Sequence, residues 1–371
     1  MPRRTATLLA STLLLIAMLC AGVLIEVPYA EMSPGPTVNT LGVHDGDPVL
    51  RIKDEPGHKG RPKEYDTSGH LNMTTVRVTG SEYRMTLLGA LSGWLRHDSL
   101  VVPYKTVYPE QKSAEEVDQE NAEEFSASQE SAKVAALKEL HIPTSSHVVV
   151  GSVAKDAPAH ERLHAGDVIT AVDGRPVGKA ESVGKIVTRH KPGEKVTFTV
   201  IPKAKVRAAQ EKGKKPSPRD ARKVTVGTTK AKEDGRTVVG ITTALGHSFP
   251  FEIDIKLADI GGPSAGLMFA LGIVDKLTPT DLTGGKFVAG TGTIDDNGKV
   301  GEIGGIQMKI IGAREKGARY FLTPAGNCAT AAKDKPKGIT LVKTSTMDDA
   351  LSSLKKIRSG RTDRLTRCRA G

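Results

Sequence analysis

Aromatic residues are scarce in this chain, which limits what its positive charge can do. Phe, Trp and Tyr make up 4% of the 371 residues, while the formal net charge is +11. Much of that charge lies in the segment 203–223, which has nine Lys or Arg, two acids and no aromatic residue. Platforms for single-stranded nucleic acid interleave basic and aromatic side chains. We therefore predict a solvated loop here, with phospholipid contact as the alternative, and no nucleic-acid partner.

The sequence also lacks a histidine downstream of residue 247, a metal-binding motif and a complete phosphate-binding loop. None of the ten histidines comes after His247, and His160 and His164 have no further ligand types arranged near them. The nearest approach to a P-loop is Gly292–Val300. It has one residue too many between its glycines, and Val300 stands where magnesium would need Ser or Thr. We expect no metal and no cofactor.

The N-terminus carries a long apolar run, Thr5–Ile25, preceded by Arg3 and Arg4. At about 1.5 Å per helical residue it can cross a hydrocarbon core of about 30 Å. The residues after the run offer a poor cleavage site, so we predict an uncleaved anchor over 1–27. Arginines before the run predict a cytoplasmic N-terminus and an extracytoplasmic body. Outside the cell Cys328 and Cys368 could pair, and the sequence leaves open whether they do.

The remaining chain divides by pattern into four parts. Residues 28–147 hold a strand near 73–80 and a long helical run, and we expect them to pack on the C-terminal domain. Residues 148–226 alternate as strands around one helix, which predicts a mainly β domain. Strands and helices intersperse in 227–357, which predicts an α/β or α+β domain. The basic tail 358–371 is predicted to be disordered.

The second part resembles a PDZ domain of the bacterial protease-associated type. The matching residues are Ala157–Ala159, Leu163, Gly166–Ile169 and Val172–Gly174. The resemblance implies binding of an extended peptide as an added strand. A Gly-Leu-Gly-Phe-like carboxylate loop is missing before the first strand, where 144–150 reads TSSHVVV instead. A peptide-binding domain and a spacer domain are both compatible with this pattern.

A single serine, Ser264, lies in the sequence GGPSAG at the start of a very apolar stretch. The pattern G-x-S-x-G is typical of the nucleophile of α/β-hydrolases, which need an acid and a histidine downstream. Because the last histidine precedes Ser264, that arrangement is excluded. A neutral lysine is the next base to consider, and it requires burial among apolar groups to lose its proton.

Lys309 is the best lysine for that role. It comes after Gly304-Gly305-Ile306-Gln307-Met308 and precedes two isoleucines, in the first turn of a predicted helix. By comparison, Lys299 lies in a polar turn, Lys276 lies at a helix end, and a polar loop contains Lys333, Lys335 and Lys337. Composition alone would favour a surface lysine on an amphipathic helix, so the choice depends on a second observation.

That second observation is a resemblance to the proteolytic domain of Lon-type proteases. Their P-S-A-G motif matches Pro263–Gly266, and I-G-G-x-x-x-K matches Ile303–Lys309. T-G-x-I matches Thr291–Ile294. The resemblance implies a Ser-Lys dyad with Ser264 as nucleophile and Lys309 as general base. The whole arrangement resembles the membrane-anchored, PDZ-containing Lon-like proteases of Gram-positive bacteria.

The same resemblance gives supporting roles to Thr291, whose hydroxyl would hold the lysine amine, and to Gly262, which permits tight backbone geometry. ATP-dependent Lon proteases often carry an acidic residue three positions before the serine. This chain has Gly261 at that position, and Asp259 lies two positions earlier. The strand Phe251–Leu257 could hold a substrate by edge pairing.

Two functions remain as hypotheses. The first is an ATP-independent serine endopeptidase that acts on flexible or misfolded polypeptides at the outer face of the membrane. The second is a catalytically silent adaptor that captures peptides through the PDZ-like domain. The partners expected are polypeptide substrates, the membrane through the N-terminal helix, and a peptide ligand of the PDZ-like domain. Whether the chain forms a homo-oligomer is left open.

Overall fold

The computed structural model describes residues 3–53, 63–109, 113–210, 216–231, 234–257 and 260–370. Asp259, and the part of the basic segment at 211–215, lie outside the described residues. Helices and strands alternate through both halves of the chain, so the predicted mixed class is confirmed.

The helices and strands have these bounds. The α-helices are α1 Arg3–Leu24, α2 Leu87–Leu95, α3 Tyr104–Val107, α4 Ala114–Glu139, α5 Ala180–Val187, α6 Lys203–Gln210, α7 Gly266–Leu277, α8 Ile306–Glu315, α9 Cys328–Lys333 and α10 Met347–Arg358. Short 3₁₀ helices lie at Pro218–Asp220, Ala325–Asn327 and Thr362–Arg364. The strands are β1 Tyr29–Asn39, β2 Val43–His44, β3 Asp47–Pro48, β4 Leu50–Lys53, β5 His70–Val78, β6 Leu100–Pro103, β7 Ser145–Val153, β8 Val168–Val172, β9 Arg175–Pro176, β10 Lys195–Ile201, β11 Arg222–Gly227, β12 Thr229–Lys230, β13 Thr237–Val238, β14 Ile241–Ser248, β15 Glu252–Ile255, β16 Phe287–Gly290, β17 Thr293–Ile294, β18 Val300–Gly301, β19 Tyr320–Pro324 and β20 Thr340–Thr344.

The chain divides into two structural units. The first is drawn from the ranges Met1–Arg51, Lys63–Glu139 and Ile255–Gly371, and the second from Ile52–Pro62 and Leu140–Asp254. The N-terminal region therefore does more than pack on the proteolytic half, because it supplies half of that unit's main sheet. The predicted boundary at 227 also differs from this division, since residues 227–254 fall in the second unit.

The first unit is built on a sheet of six strands in the order β20-β19-β16-β5-β1-β6. The strands from β20 to β5 run parallel, whereas β1 pairs antiparallel with both β5 and β6. The pairing of β16 with β5 ends at Gly290 and Met73, while β5 continues to Val78. The far end of β5 therefore has one edge that β16 does not cover.

Helix α7 is the central helix of this unit. Every residue from Gly266 to Asp275 is buried, and so is Leu277, as expected for a helix that is apolar all round. It packs against α4, with the rings of Phe125 and Phe269 in an edge-to-face contact at 5.8 Å. This packing fixes the start of α7, where the serine motif lies.

The second unit is a sheet in the order β11-β10-β8-β7-β14, with α5 packed beside it. Its core is a cluster of buried aliphatic residues around Phe198, mostly from alternating strand positions. β7 is the first strand of the region that resembles a PDZ domain. Strand β14 pairs antiparallel along β7 from Ile241↔Val153 to Ser248↔Ser145, and β8 covers its other edge.

The C-terminal tail and the basic segment both differ from their predictions. The tail is ordered through residue 370, because Cys368 forms a disulfide with Cys328 and Arg367 bridges to Val342. The basic segment is not simply a loop, since 203–210 form helix α6 with the side chain of Val206 buried. The predicted apolar helix, by contrast, is present as α1, and it is the one described helix long and apolar enough to cross a bilayer.

Candidate active site

Ser264 lies in the loop that leads into α7, two residues before the helix begins at Gly266. The residue between them, Ala265, is the N-cap, and no side chain caps this helix end. Ser264 is half-buried. Its position beside a helix N-terminus places its side chain in the positive field of the helix dipole.

Helix α4 holds this loop from one side. The backbone N–H of Gly262 donates to the carbonyl oxygen of Asn121 at 2.9 Å, and the hydroxyl of Ser128 donates to the carbonyl oxygen of Pro263 at 2.8 Å. Gly262 has φ of 80°, a left-handed conformation that glycine adopts without strain. The loop therefore depends on a glycine at 262 and on two residues contributed by α4.

The loop after β16 holds the same segment from the other side. The carbonyl oxygen of Ser264 accepts a hydrogen bond from the backbone N–H of Gly292 at 2.8 Å and another from the Thr291 hydroxyl at 3.0 Å. Two donors on one carbonyl fix the backbone of Ser264, so the direction of its side chain is restricted before any substrate binds.

Lys309 lies in the first turn of α8. Gly305, the N-cap, has φ of 65°, and a Cβ there would lie 2.7 Å from Val76 Cγ1. Glycine is therefore required for α8 to begin this close to β5. Long side chains of helical residues point back toward the helix N-terminus, which directs the Lys309 amine toward β5 and the serine loop.

The segment before α8 is clamped by Asn327. Its side-chain amide donates to the carbonyl oxygen of Ile303 and its Oδ1 accepts from the N–H of the same residue, both at 2.9 Å. The clamp fixes the Gly-Gly turn, and with it the position of Lys309.

The amine of Lys309 has three polar neighbours. Its Nζ lies 2.7 Å from Ser264 Oγ, 3.2 Å from Thr291 Oγ1 and 3.2 Å from the carbonyl oxygen of Thr74. The carbonyl oxygen of Thr74 can only accept a hydrogen bond. The Thr291 hydroxyl donates its proton to the Ser264 carbonyl, so its oxygen also accepts from the Lys309 amine. A neutral amine has two N–H bonds, and with both donated to these oxygens its lone pair is left for the hydroxyl of Ser264.

Burial sets the protonation of this amine. Lys309 is 3% exposed, and the desolvation of its charged form lowers its pKa to about 7. Within the described residues no carboxylate pairs with it. A lysine with this pKa is substantially neutral near pH 7, so it can accept the proton of the serine hydroxyl.

A pocket of about 300 Å³ opens beside the two side chains. Besides Ser264 and Lys309 it is lined by Thr75, Val76 and Arg77 of β5 and by the loop from Ile260 to Gly262. The uncovered edge of β5 therefore faces this cavity. The strand predicted to hold a substrate, Phe251–Leu257, contributes no lining residue in the described part of the chain, so that expectation is not supported.

The structure thus brings Ser264, Lys309 and Thr291 together, while their catalytic roles stay predictions. Gly262 serves through its conformation, and its N–H is already bonded to Asn121. The contributions of Thr74, Asn121 and Ser128 were not anticipated. Thr74 and Asn121 act through main-chain oxygens, which carry no residue-type signal, and Ser128 lies 135 positions from its partner.

The comparisons with known proteins agree with this geometry. Residues 258–355 match the Lon protease (S16) C-terminal proteolytic domain, and residues 124–210 match the PDZ domain. The chain thus contains a PDZ domain and a Lon-type proteolytic domain. The resemblance seen in the sequence is confirmed at the level of these two domains.

Individual relatives are similar over shorter stretches. The chain is 36% identical to a Lon protease of Azospirillum brasilense over 24% of its length, and 42% identical to one of Roseiflexus castenholzii over 18%. It spans only 11% and 8% of those two proteins. It is 32% identical to Lon protease 2 of Bacillus subtilis over 33% of its length and 23% of that protein. Among solved structures, the PDZ domain of an SdrC-like protein from Listeria monocytogenes matches 26% of the chain and 87% of that domain, at 26% identity and a TM-score of 0.21.

A valine at 291 is expected to reduce kcat by about tenfold to a hundredfold, because leaving buried partners unsatisfied costs about 1–3 kcal/mol. Thr291→Val keeps the side-chain shape but removes one donor to the Ser264 carbonyl and one acceptor for the Lys309 amine. The kinetics of peptide cleavage measure the effect, with KM expected to change little. Thr291→Ser retains the hydroxyl and should stay near wild type; equal losses in both variants would contradict a role for the hydroxyl.

Proposed function

We propose that this chain is an ATP-independent serine endopeptidase with a Ser264–Lys309 dyad, anchored in the cytoplasmic membrane with its catalytic unit outside the cytoplasm. The observation that carries the proposal is the 2.7 Å contact between the serine hydroxyl and a buried lysine amine. Burial gives Lys309 the neutral form that a base requires, and the fixed carbonyl of Ser264 gives the nucleophile its direction.

In the first half of the reaction, Ser264 Oγ attacks the carbonyl carbon of the scissile peptide bond while its proton moves to Lys309 Nζ. The carbonyl oxygen becomes an oxyanion. The backbone N–H groups of Ser264 and Ala265 have no hydrogen-bond partner among the described residues, and they lie at the positive end of α7. We assign them as the donors that stabilise the oxyanion.

In the second half, the Lys309 ammonium gives its proton to the leaving amine nitrogen as the C–N bond breaks, and an acyl-enzyme on Ser264 remains. Lys309, neutral again, takes a proton from water as the water oxygen attacks the ester carbon. The second tetrahedral intermediate collapses, the new carboxylic acid leaves, and the proton returns from Lys309 to Ser264 Oγ. One lysine thus acts as base and acid in each half.

The substrate is proposed to be an extended polypeptide segment. The pocket is bounded by the uncovered end of β5, where main-chain groups could pair with a substrate strand. No P-loop motif accompanies this site in the sequence. Substrates are therefore expected to be flexible or misfolded before they arrive, since the described residues hold nothing that would unfold them with ATP.

The proposed location rests on three features. Helix α1 is long and apolar enough to cross a bilayer, and its apolar residues are exposed. Arg3 and Arg4 form the start of α1, just before its apolar run, and they favour a cytoplasmic N-terminus. Cys328 and Cys368 are joined in a disulfide, which is typical of proteins outside the cytoplasm.

The adaptor function has less support. Strand addition needs an open edge, and both edges of β7 are already paired, one with β8 and the other with β14. The side chains of Thr242, Ala244 and Leu245 on β14 are exposed. A peptide ligand of the PDZ domain would have to displace β14 or use another edge, so peptide capture is a second-rank proposal.

Purified full-length protein in lipid vesicles is expected to cleave labelled casein in nucleotide-free buffer, at a rate that added Mg-ATP does not change. The appearance of fluorescent fragments measures the rate, and mass spectrometry of a fluorophosphonate-treated sample should place the label on Ser264. No cleavage under any condition, or cleavage only with ATP, would count against the proposal.

A further inference from the structure

Helix α2 exposes most of its large apolar residues and buries small ones. Its buried positions are Ala90 and Gly93. Four of its five large residues are exposed, Leu88 by 41%, Leu91 by 45%, Trp94 by 54% and Leu95 by 88%, while Leu87 is half-buried. A surface helix of a soluble protein presents the opposite pattern. The four exposed residues form one apolar face, which we call the α2 face.

The side of α2 that carries Ala90 and Gly93 packs closely against neighbouring residues, so the orientation of the helix is well defined. A Cβ on Gly93 would lie 2.6 Å from Val101 Cγ2 on β6, which means that only glycine permits this contact. The hydroxyl of Thr86 caps the helix by accepting from the N–H of Gly89 at 3.1 Å. The α2 face is therefore held outward by a capped helix with a fitted inner side.

Main-chain hydrogen bonds attach the start of α2 to the segment that follows α1. The N–H of Leu87 donates to the carbonyl oxygen of Ile25, and the N–H of Val27 donates to that of Met85, both at 2.8 Å. Glu26 forms a β-bridge with Thr86, and a Cβ on Gly22 would lie 3.6 Å from Leu88. Leu88 thus contacts the last turn of α1, and α2 begins beside the end of α1.

We propose that the α2 face is seated in the outer leaflet of the bilayer, at the boundary between headgroups and acyl chains. The inference rests on the proposed membrane anchor and adds a second, lateral contact to it. Leucine and tryptophan on one face are the residues that such a boundary accommodates. Glu26, the exposed acid just after α1, and Thr86, the N-cap of α2, are joined by a β-bridge and would lie at the level of the headgroups.

A lateral contact limits the motion of the catalytic unit. A single spanning helix leaves the body free to tilt about its exit point, whereas α2 adds a second attachment at the edge of the sheet formed by β1 and β6. Strand β1 comes directly after α1 and β6 comes after α2, and both belong to the sheet that carries the β5 edge. The site is thereby kept near the membrane, where polypeptides attached to the same leaflet become its favoured substrates.

The chain supplies its own probe, because Trp94 is its only tryptophan. Full-length protein is reconstituted in phosphatidylcholine–phosphatidylglycerol vesicles, and Trp94 emission is recorded with spin labels placed near the headgroup or near the chain end. We expect a blue-shifted emission and about twofold stronger quenching by the shallow label, since interfacial helices sink about 5–10 Å. Leu91→Glu should remove the shift and the quenching, while Leu245→Glu, an exposed leucine of the second unit, should change neither.

The results separate the membrane contact of the α2 face from the membrane anchor and from the peptidase activity. Trp94 that stays accessible to aqueous acrylamide and escapes both lipid labels, in protein that floats with the vesicles, would overturn the inference but leave the anchor intact. Protein that does not float would contradict the anchor itself and the inference with it. Emission depends on the folded protein whether or not it is active, so a failure of the peptidase proposal would be seen separately in the casein assay.

Discussion

Replacing Ser264 by alanine is expected to reduce casein cleavage by about 10⁴-fold or more, to the level of background hydrolysis. The hydroxyl oxygen that forms the acyl-enzyme is absent in Ser264→Ala, and in the described residues Lys309 has no other hydroxyl at 2.7 Å to activate. Fluorophosphonate labelling should disappear together with turnover. KM, where residual activity allows it to be measured, should change little because the pocket is unaltered.

The variant Ser352→Ala serves as a matched control, since Ser352 is an exposed serine of α10 in the same unit. It should retain full activity and labelling. Thermal unfolding of Ser264→Ala should occur near the wild-type temperature, because no buried group loses its partner except the amine. Cleavage by Ser264→Ala protein at an undiminished rate would remove Ser264 from the reaction.

Replacing Lys309 by methionine is expected to cause a loss of similar size, about 10⁴-fold, although the serine is untouched. Methionine keeps the unbranched apolar stem but has no lone pair to accept the serine proton. Lys309→Arg should be equally inactive, because a guanidinium stays protonated and cannot act as a base. Cleavage rates and fluorophosphonate labelling measure both variants.

The double variant Ser264→Ala with Lys309→Met sharpens this test. Two residues that act as one unit lose activity once, so the double variant should be no slower than either single variant. Lys316→Met, at an exposed lysine just after α8, is the matched control and should stay active. An active Lys309→Met protein, or losses that multiply in the double variant, would contradict the dyad.

The proximity of Ser264 and Lys309 could be predicted because its signals are local. Glycines before Ser264 and before Lys309 indicate backbone conformations that other residues rarely adopt, and both positions carry them in the structure, at Gly262 and Gly305. Apolar neighbours indicated that Lys309 would be buried. The absence of histidine after Ser264 then left lysine as the base to consider, and motif spacing selected which one.

The surroundings of the pair could not be predicted in the same way. Thr74 contributes a carbonyl oxygen that is available because β16 stops pairing at Gly290, and the end of a strand pairing depends on the whole sheet. Residues 28–147 look separate in sequence because their contacts to the proteolytic half are long-range. Asn121 and Ser128 support the serine loop from a helix more than a hundred positions earlier.

Strand β14 lies in the predicted C-terminal domain, 227–357, but pairs with β7 of the second unit. Its sequence ITTALGHS has no strong alternation of apolar and polar residues, so the sequence gives little indication of which unit the strand belongs to. It joins the PDZ sheet through main-chain pairing with β7. Backbone hydrogen bonds are available to any sequence, and periodicity does not reveal them.

Direct titration of Lys309 tests the central claim most directly. Full-length protein with isotope-labelled lysine side chains is studied by NMR across pH 5 to 12, and Lys309→Met identifies the signal of Lys309 by its disappearance. Burial predicts one lysine that titrates near 7, far below the ordinary value of 10.5. Because the proposed base is the neutral amine, kcat/KM should rise with pH through the same midpoint and level off above it. A Lys309 signal that titrates near 10.5, or a rate that does not track its titration, would contradict the account.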